Sequence, residues 1–317
     1  MEYNRRKFVQ GVATTAALLP FSSFLASAES GTKSSKYPIM FFTKPLDGYD
    51  SEFLAETLAM AGVDGFDLQV RPGGRVDPKT VKEELPKMVE LGKKHQLATG
   101  MMVTAIRDTT DPYAEDVLKV AAKCGIKHYR LGYYDYDFKK GVMESLAEIG
   151  GKLGRLSTLN KELGIQAGYQ NHSGSKVGAP LWDVWELTRH FPTECISSQF
   201  DIRHAVTEGA ASWIISMNLL KKNIGSLAFK DFTWGISGRK AKVVSVPLGE
   251  GIIDFDLFFQ TIKDLNIDVP ITLHAEYSLL ETAEEKLPLL KQQQIIVTKL
   301  KKDVEFIRTN LSKFKLI

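Results

Sequence analysis

Polar and ionisable residues gather at the ends of apolar runs in this chain. "GIQAGYQ" closes on Gln170, followed at once by Asn171 and His172: an amide, an amide and an imidazole in succession. "ISSQFDI" holds Asp201, with His204 three residues on. "IGSLAFKDF" delivers Lys230 and Asp231 at its end. "VPITLHAEY" carries His274 and Glu276, two residues apart and so on one side of an extended strand. "VDGFDLQV" carries Asp67 and Gln69, and Arg71 follows with a Pro-Gly-Gly turn behind it. A carboxylate set among apolar residues needs a cation, a metal or several donors. A lysine entering a core needs an anion, a carboxylate or a substrate oxygen. Carboxylates, imidazoles and an ammonium together are the parts of a proton-transfer site, in which one group moves the proton and a cation steadies the charge that develops. On this reading Glu276, Lys230, His172 and Asp201 are the catalytic candidates, and Arg71, Asn171, His204 and His274 face a ligand.

Each residue also has a plainer role open to it. His274 suits a packed core, His204 suits orienting Asp201 or capping the next helix, and Asp231 suits pairing with Lys230. Arg71 suits an ordinary surface. Arg130 sits mid-run in "IKHYRLGYY" and needs a partner there, Asp67 or Asp201. His95, His128 and His190 fall on helix ends or outer faces and are read as inert.

The elements that must position these groups recur regularly. The apolar runs "YPIMFF", "VDGFDLQV", "LATGMMVTAI", "IKHYRLGYY", "GIQAGYQ", "ISSQFDI", "IGSLAFKDF" and "VPITLHAEY" start about 25 to 45 residues apart, the length of one strand-helix unit with its loops. Between them lie amphipathic stretches such as "SEFLAETLAMAG", stopped by Gly62, and "DPYAEDVLKVAAKCG", opened by Asp-Pro and stopped by Gly125. Eight such alternations predict an α/β fold, a single closed (β/α)8 barrel over 37–317. The alternative, an open doubly wound sheet, lacks a G-x-G-x-x-G turn after its first strand. In a barrel, chemistry sits at the carboxyl ends of the strands, and the catalytic and ligand-facing candidates named above fall at that end.

Composition narrows the function. The 317 residues are 44% hydrophobic and 25% charged, with a net charge of +3, and no basic run is interleaved with aromatics, which argues against nucleic acid. The lysine-rich C-terminus keeps helical apolar spacing and reads as a solvated helix face. Residues 1–28 read as an export signal: a basic start, an apolar middle, Ala26-Ser27-Ala28 as a cleavage site, and Arg5-Arg6 in the twin-arginine style. A general secretory signal with two chance arginines is the alternative. Residues 29–36 read as a short linker. The apolar stretch is too short and too interrupted for a retained anchor, so no stable membrane insertion is expected after cleavage and a periplasmic or otherwise exported protein is. Cys124 and Cys195 show no metal-type spacing; an oxidising compartment would allow a disulfide between them, and two free structural thiols are the preferred reading.

The chain resembles the sugar (phosphate) isomerase/epimerase family of xylose-isomerase-like TIM barrels. The resemblance runs from about Lys36 to about Phe306 and is carried by "AGVDGFDLQV", "GYQNHSG", "FDIRHAVTEG", "FKDFTW", "VPLGEGIIDFDLFF" and "ITLHAEY", in that order. It implies a carbohydrate substrate and a divalent metal (Mn2+, Mg2+, Co2+ or Zn2+) held by Glu, Asp, His and Glu on strands five to eight. The metal polarises a carbonyl while carboxylates move a proton between carbons through an enediolate. Asp201 and Glu276 match two of the ligands, and His204 matches a companion substrate-binding histidine. On strand seven Ala228 stands where the family often has His. On strand five no Glu is evident, and Gln170 and Asn171 stand near its place. Amides suit a hard cation better than a transition metal. Either His172 and His274 replace the missing ligands, or the metal is gone and Lys230 carries the oxyanion.

Three readings follow. One is an exported isomerase or epimerase acting on a sugar or keto-sugar; a second is a keto-glycoside lyase of the same fold. The third is a carbohydrate-binding barrel with a decayed metal site. An endonuclease-like reading fails for want of His and Glu ligands. Phe41, Phe42, Tyr133, Tyr134 and Trp234 form an aromatic set suited to stacking on a sugar ring at the mouth.

Overall fold

The computed structural model describes residues 36–317, so the export signal of residues 1–28 and most of the short linker lie outside the described residues. Eight parallel strands close a barrel in the order β1 (Ile39–Phe42), β2 (Gly65–Val70), β3 (Ala98–Thr104), β4 (His128–Arg130), β5 (Gln166–Gln170), β6 (Ile196–Asp201), β7 (Ile224–Phe229) and β10 (Ile271–Leu273), which returns to β1. The helices between them are α1 (Ser51–Ala61), α2 (Val81–Lys94), α3 (Ala114–Lys123), α4 (Val142–Leu163), α5 (Leu181–Thr188), α6 (Ile202–Gly209), α7 (Trp213–Leu220) and α8 (Phe255–Asp264), with α9 (Leu289–Lys313) closing the ring against α1. The expected (β/α)8 barrel is therefore what the chain forms. Cys124 and Cys195 are both free. Among the described residues no helix is long and apolar enough to cross a membrane.

Helix ends follow local chemistry. Asp50 caps α1 by accepting the Phe53 N–H, and Gly62 ends it in the left-handed region at φ 82°. Asp254 caps α8 through the Leu257 N–H. Apolar side chains fill the layer between strands and helices: Phe66, Phe200, Phe229, Phe258 and Phe259 are fully buried.

Two elements depart from the sequence reading. The seventh run does not continue through "KDF" as one strand. β7 stops at Phe229, and the chain then forms an antiparallel hairpin, β8 (Asp231–Ser237) with β9 (Lys240–Val246). The short α5 was also not among the helical stretches read from sequence.

Asp231, expected as a partner for Lys230, instead fastens the hairpin to the loop behind it. Its carboxylate accepts N–H groups from Phe232, Gly249, Gly251 and Ile253 at 2.8, 3.0, 2.9 and 3.4 Å. This is why "PLGEG" carries its glycines. Gly249 takes φ 83°, and a Cβ on Gly251 would lie 2.1 Å from the Asp231 carboxylate.

Candidate active site

The site begins where β6 ends. Asp201 is its last residue and also the N-cap of α6, so the strand turns into the helix with no intervening loop. The carboxylate is fully buried, with one oxygen accepting the His204 N–H at 3.1 Å. Its other oxygen accepts from Gln170 Nε2 at 2.7 Å and meets Lys230 Nζ at 3.1 Å. Lys230, two residues beyond Ala228 on the neighbouring strand, also meets Glu276 Oε1 at 3.0 Å. The ammonium thus lies between two carboxylates. Arg203 takes the other Glu276 oxygen at 3.1 Å and is 3.2 Å from His204 Nε2.

Gln170 has a fixed orientation. Its oxygen accepts from Arg130 Nη1 at 2.8 Å and from the Tyr133 hydroxyl at 2.6 Å. A guanidinium only donates, so the amide nitrogen is the end that faces Asp201. Arg130 therefore binds Gln170 and Tyr133 and makes neither of the direct carboxylate pairs expected of it, because the amide bridges it to Asp201.

The histidines differ in role. Donors face both ring nitrogens of His204: the Ser173 backbone N–H at Nδ1, 3.0 Å away, and Arg203 Nη2 and Lys230 Nζ at Nε2, 3.2 and 3.3 Å away. Burial, with Lys230 and Arg203 close by, pushes its pKa well below the usual value. His172 lies 4.0 Å from His204, ring to ring, and gives Nδ1–H to the Ser173 carbonyl, which leaves Nε2 as a free lone pair. His274 stacks on Phe42 at 4.4 Å and completes no hydrogen bond at either ring nitrogen. Nδ1 is 3.5 Å from Glu276, and Nε2 is 3.9 Å from Asp67. Burial drives its pKa down to about 4, with Lys230 adding to the effect, so His274 is neutral at pH 7.

The carboxylates are tuned in different directions. Burial pushes Asp67 up to about 6 against a hydrogen bond from Thr272. Burial also acts upward on Asp201, but Lys230 and Arg203 outweigh it and hold the group below its ordinary value. Glu276 ends well below the carboxylate range, because the Lys230 ammonium 3.0 Å away overcomes its desolvation. It is also the reachable member of the cluster. Its side chain is 33% exposed, against 0% for Asp201 and 5% for Lys230. It opens onto a cavity of about 400 Å³ lined by Phe42, Lys44, Pro45, Ala275 and Tyr277.

Of the residues named from sequence, the structure brings together Glu276, Lys230, Asp201, His204, His172 and His274. Arg71 stays half-buried at the end of β2 and donates to Gln69 at 2.5 Å. Asn171 is not ligand-facing. It is fully buried, and its amide pairs with the backbone N–H and carbonyl of Asp201 at 2.7 and 2.9 Å, clasping β5 to β6. Trp234 lies on β8, 50% exposed, edge-on to Phe232. The aromatic set does not act as a unit: Phe41 and Tyr134 are core residues, Tyr134 being tied to the Arg107 carbonyl. Arg203 was missed by the sequence reading. Its signal is the spacing in "FDIRH", which places it two residues after the buried Asp201.

The residues present do not fit the divalent metal. Ala228 is in register with Asp201 and Thr272, so a methyl stands where a ligand would. Gln170 offers its nitrogen, and Lys230 fills the space between the two carboxylates. Among the described residues no group of three or more His, Cys, Asp or Glu is arranged to hold a metal. A dication about 4 Å from the ammonium would meet repulsion on the order of 8 kcal/mol at an effective dielectric of 20. The expected ligand pair Asp201 and Glu276 is thus neutralised by Lys230 and Arg203.

Fold and site together define a (β/α)8 barrel with an acid-lysine-acid cluster at the carboxyl ends of its strands. Residues 55–293 match the xylose isomerase-like TIM barrel, and the chain belongs to that family. A D-allulose 3-epimerase from Methylomonas sp. is 16% identical over 87% of this chain and 98% of its own, with a TM-score of 0.63. An L-ribulose 3-epimerase is 12% identical over 88% of this chain and 95% of its own, at 0.64. The 3-keto-D-glucoside 4-epimerase of E. coli is 11% identical over 86% of this chain and 99% of its own, at 0.62. No curated protein matches the chain.

Proposed function

We propose that the protein is a carbohydrate-active enzyme that moves a proton beside a carbonyl of a sugar or keto-sugar. The observation that carries this reading is Glu276: a carboxylate that reaches a cavity while two cations, Lys230 and Arg203, stand within 3.1 Å of it. A carbon acid next to a carbonyl needs a base on one side and positive charge at the oxygen. Glu276 takes the proton as the C–H bond breaks. The electron pair forms a carbon–carbon double bond, and the carbonyl oxygen gains the negative charge, which Lys230 and Arg203 stabilise. Resting contact with those cations makes Glu276 a weak base. A substrate oxygen that draws the N–H groups to itself raises its basicity when the substrate is in place. To complete an isomerisation Glu276 returns the proton to the neighbouring carbon, while His172, whose Nε2 holds a lone pair, takes the hydroxyl proton and passes it to the former carbonyl oxygen.

The fold neighbours support a sugar isomerase or epimerase as the general kind, and the 3-keto-D-glucoside 4-epimerase makes keto-glycosides a natural substrate class to try. The same enolate can instead expel a β-substituent, which would make the enzyme a keto-glycoside lyase. The twin-arginine stretch supports action outside the cytoplasm on an unphosphorylated sugar. The test is a panel of ketohexoses and 3-keto-glycosides followed by NMR. An epimeric or isomeric sugar supports the isomerase reading, and release of the aglycone supports the lyase. Binding of a panel sugar with no product after prolonged incubation would overturn both in favour of a binding barrel.

A further inference from the structure

We infer that the Lys230 ammonium stands in the place of the divalent cation and does its charge work, so that this barrel needs no metal. The inference extends the proposed function, but it rests on separate observations. Lys230 Nζ lies 3.1 Å from Asp201 and 3.0 Å from Glu276, bridging the carboxylates from strands six and eight of the barrel. Its stem leaves the chain just past the end of β7, two residues beyond Ala228. With Ala228 in register with Asp201, a β7 ligand is gone from that position.

Every oxygen of the two bridged carboxylates is then engaged by a donor. Asp201 accepts from the His204 N–H, from Gln170 and from Lys230. Glu276 accepts from Arg203 as well as Lys230. Gln170 is kept nitrogen-inward by Arg130 and Tyr133, whose N–H and O–H can only be met by its oxygen. His204 is faced by donors at both ring nitrogens, the Ser173 N–H at Nδ1 and Arg203 and Lys230 at Nε2. The shell around the cluster is thus built to deliver hydrogen-bond donors to two carboxylates. A metal shell would have to deliver acceptors to a cation, and the four donor groups would have to turn or leave to make one.

The experiment uses the whole mature chain and reads metal binding, not turnover, so that its outcome is separate from the fate of the proposed reaction. Thermal melting is followed with EDTA and with Mn2+, and bound Mn2+ is counted from loss of the free-ion EPR signal. Wild type is expected to show no bound metal and no change in melting temperature under either treatment. Lys230→Met leaves Asp201 and Glu276 facing each other without their cation, and it is expected to bind Mn2+ at least about tenfold more tightly than wild type, with a rise in melting temperature on adding the ion. One equivalent of metal on wild type, lost with a fall in melting temperature in EDTA, would overturn the inference. So would equal Mn2+ affinity in the two proteins. If Lys230→Met does not fold, the wild-type chelation result decides alone.

Discussion

Replacing Lys230 with Met should destabilise the fold in a way that depends on pH. The ammonium makes two short ionic contacts, at 3.1 Å to Asp201 and 3.0 Å to Glu276, and only 5% of its side chain is exposed. Breaking a buried pair by removing one partner costs about 3–5 kcal/mol, because a charge is left behind without compensation. Here the loss falls near the lower end. Asp201 keeps Gln170 and the His204 N–H, and Glu276 keeps Arg203 and some solvent. About 3 kcal/mol corresponds to a fall in melting temperature of about 6–12 °C for a domain of this size. The sign with pH follows from Asp201. In the wild type its folded pKa lies below the ordinary value, so it contributes stability above its unfolded pKa that is lost as pH falls through the folded one. Without Lys230, burial is opposed only by weaker partners, and the folded pKa rises above the ordinary value. The penalty is then full at pH 7 and relieved as the carboxyl gains a proton on acidification. Calorimetric melts from pH 5 to 8 should show the gap between the two proteins narrowing as pH falls. A variant within about 1 °C of wild type at pH 7, or a gap that does not change with pH, would refute the reasoning.

Other predictions test neighbouring claims. Glu276→Gln should keep the fold and ligand binding while lowering turnover by about 10²–10⁴-fold, read by steady-state kinetics beside a binding titration. Asn171→Ala strips partners from the buried N–H and carbonyl of Asp201 and should cost about 2 kcal/mol in chemical denaturation, with KM nearly unchanged in what remains folded. Asp231→Asn points an NH2 at backbone N–H donors and should loosen residues 247–253, seen as faster amide exchange there than in the barrel strands. His274 is held neutral with a folded pKa of about 4, below its ordinary 6.5, so the unfolded chain binds more protons in that window. Its contribution to stability should therefore decline as pH falls from 6.5 to 4, by on the order of 3 kcal/mol, and His274→Phe should flatten that part of the profile.

The barrel was legible because its signal is redundant. Eight apolar runs at one strand-helix spacing fit few topologies, and the polar residues at the ends of most of them named the functional face. The hairpin was hidden because "KDFTWGIS" continues the alternation of β7, and nothing local marks Lys230 as the break between them. Asn171 was misread for a different reason. An amide at a strand end suits a ligand or a neighbouring strand equally well, and only the position of the Asp201 backbone decides. Arg203, not singled out from the sequence, lies in the first turn of α6. What sequence spacing hides is that Asp201 caps that helix, which brings Arg203 over Glu276. The absence of two expected ligands was plain from Ala228 and Gln170, whereas the bridging position of Lys230 depends on three strands meeting.

The most direct test of the account is solvent exchange at carbon. The protein is incubated in D2O with ketohexoses and 3-keto-glycosides, and deuterium at the carbon beside the carbonyl is followed by NMR and mass spectrometry. The account predicts incorporation by wild type with at least one member of the panel, in the presence of EDTA, and none above background by Glu276→Gln. Incorporation by both proteins at equal rates, or none by wild type with a sugar it demonstrably binds, would contradict the claim that Glu276 moves a proton beside a carbonyl.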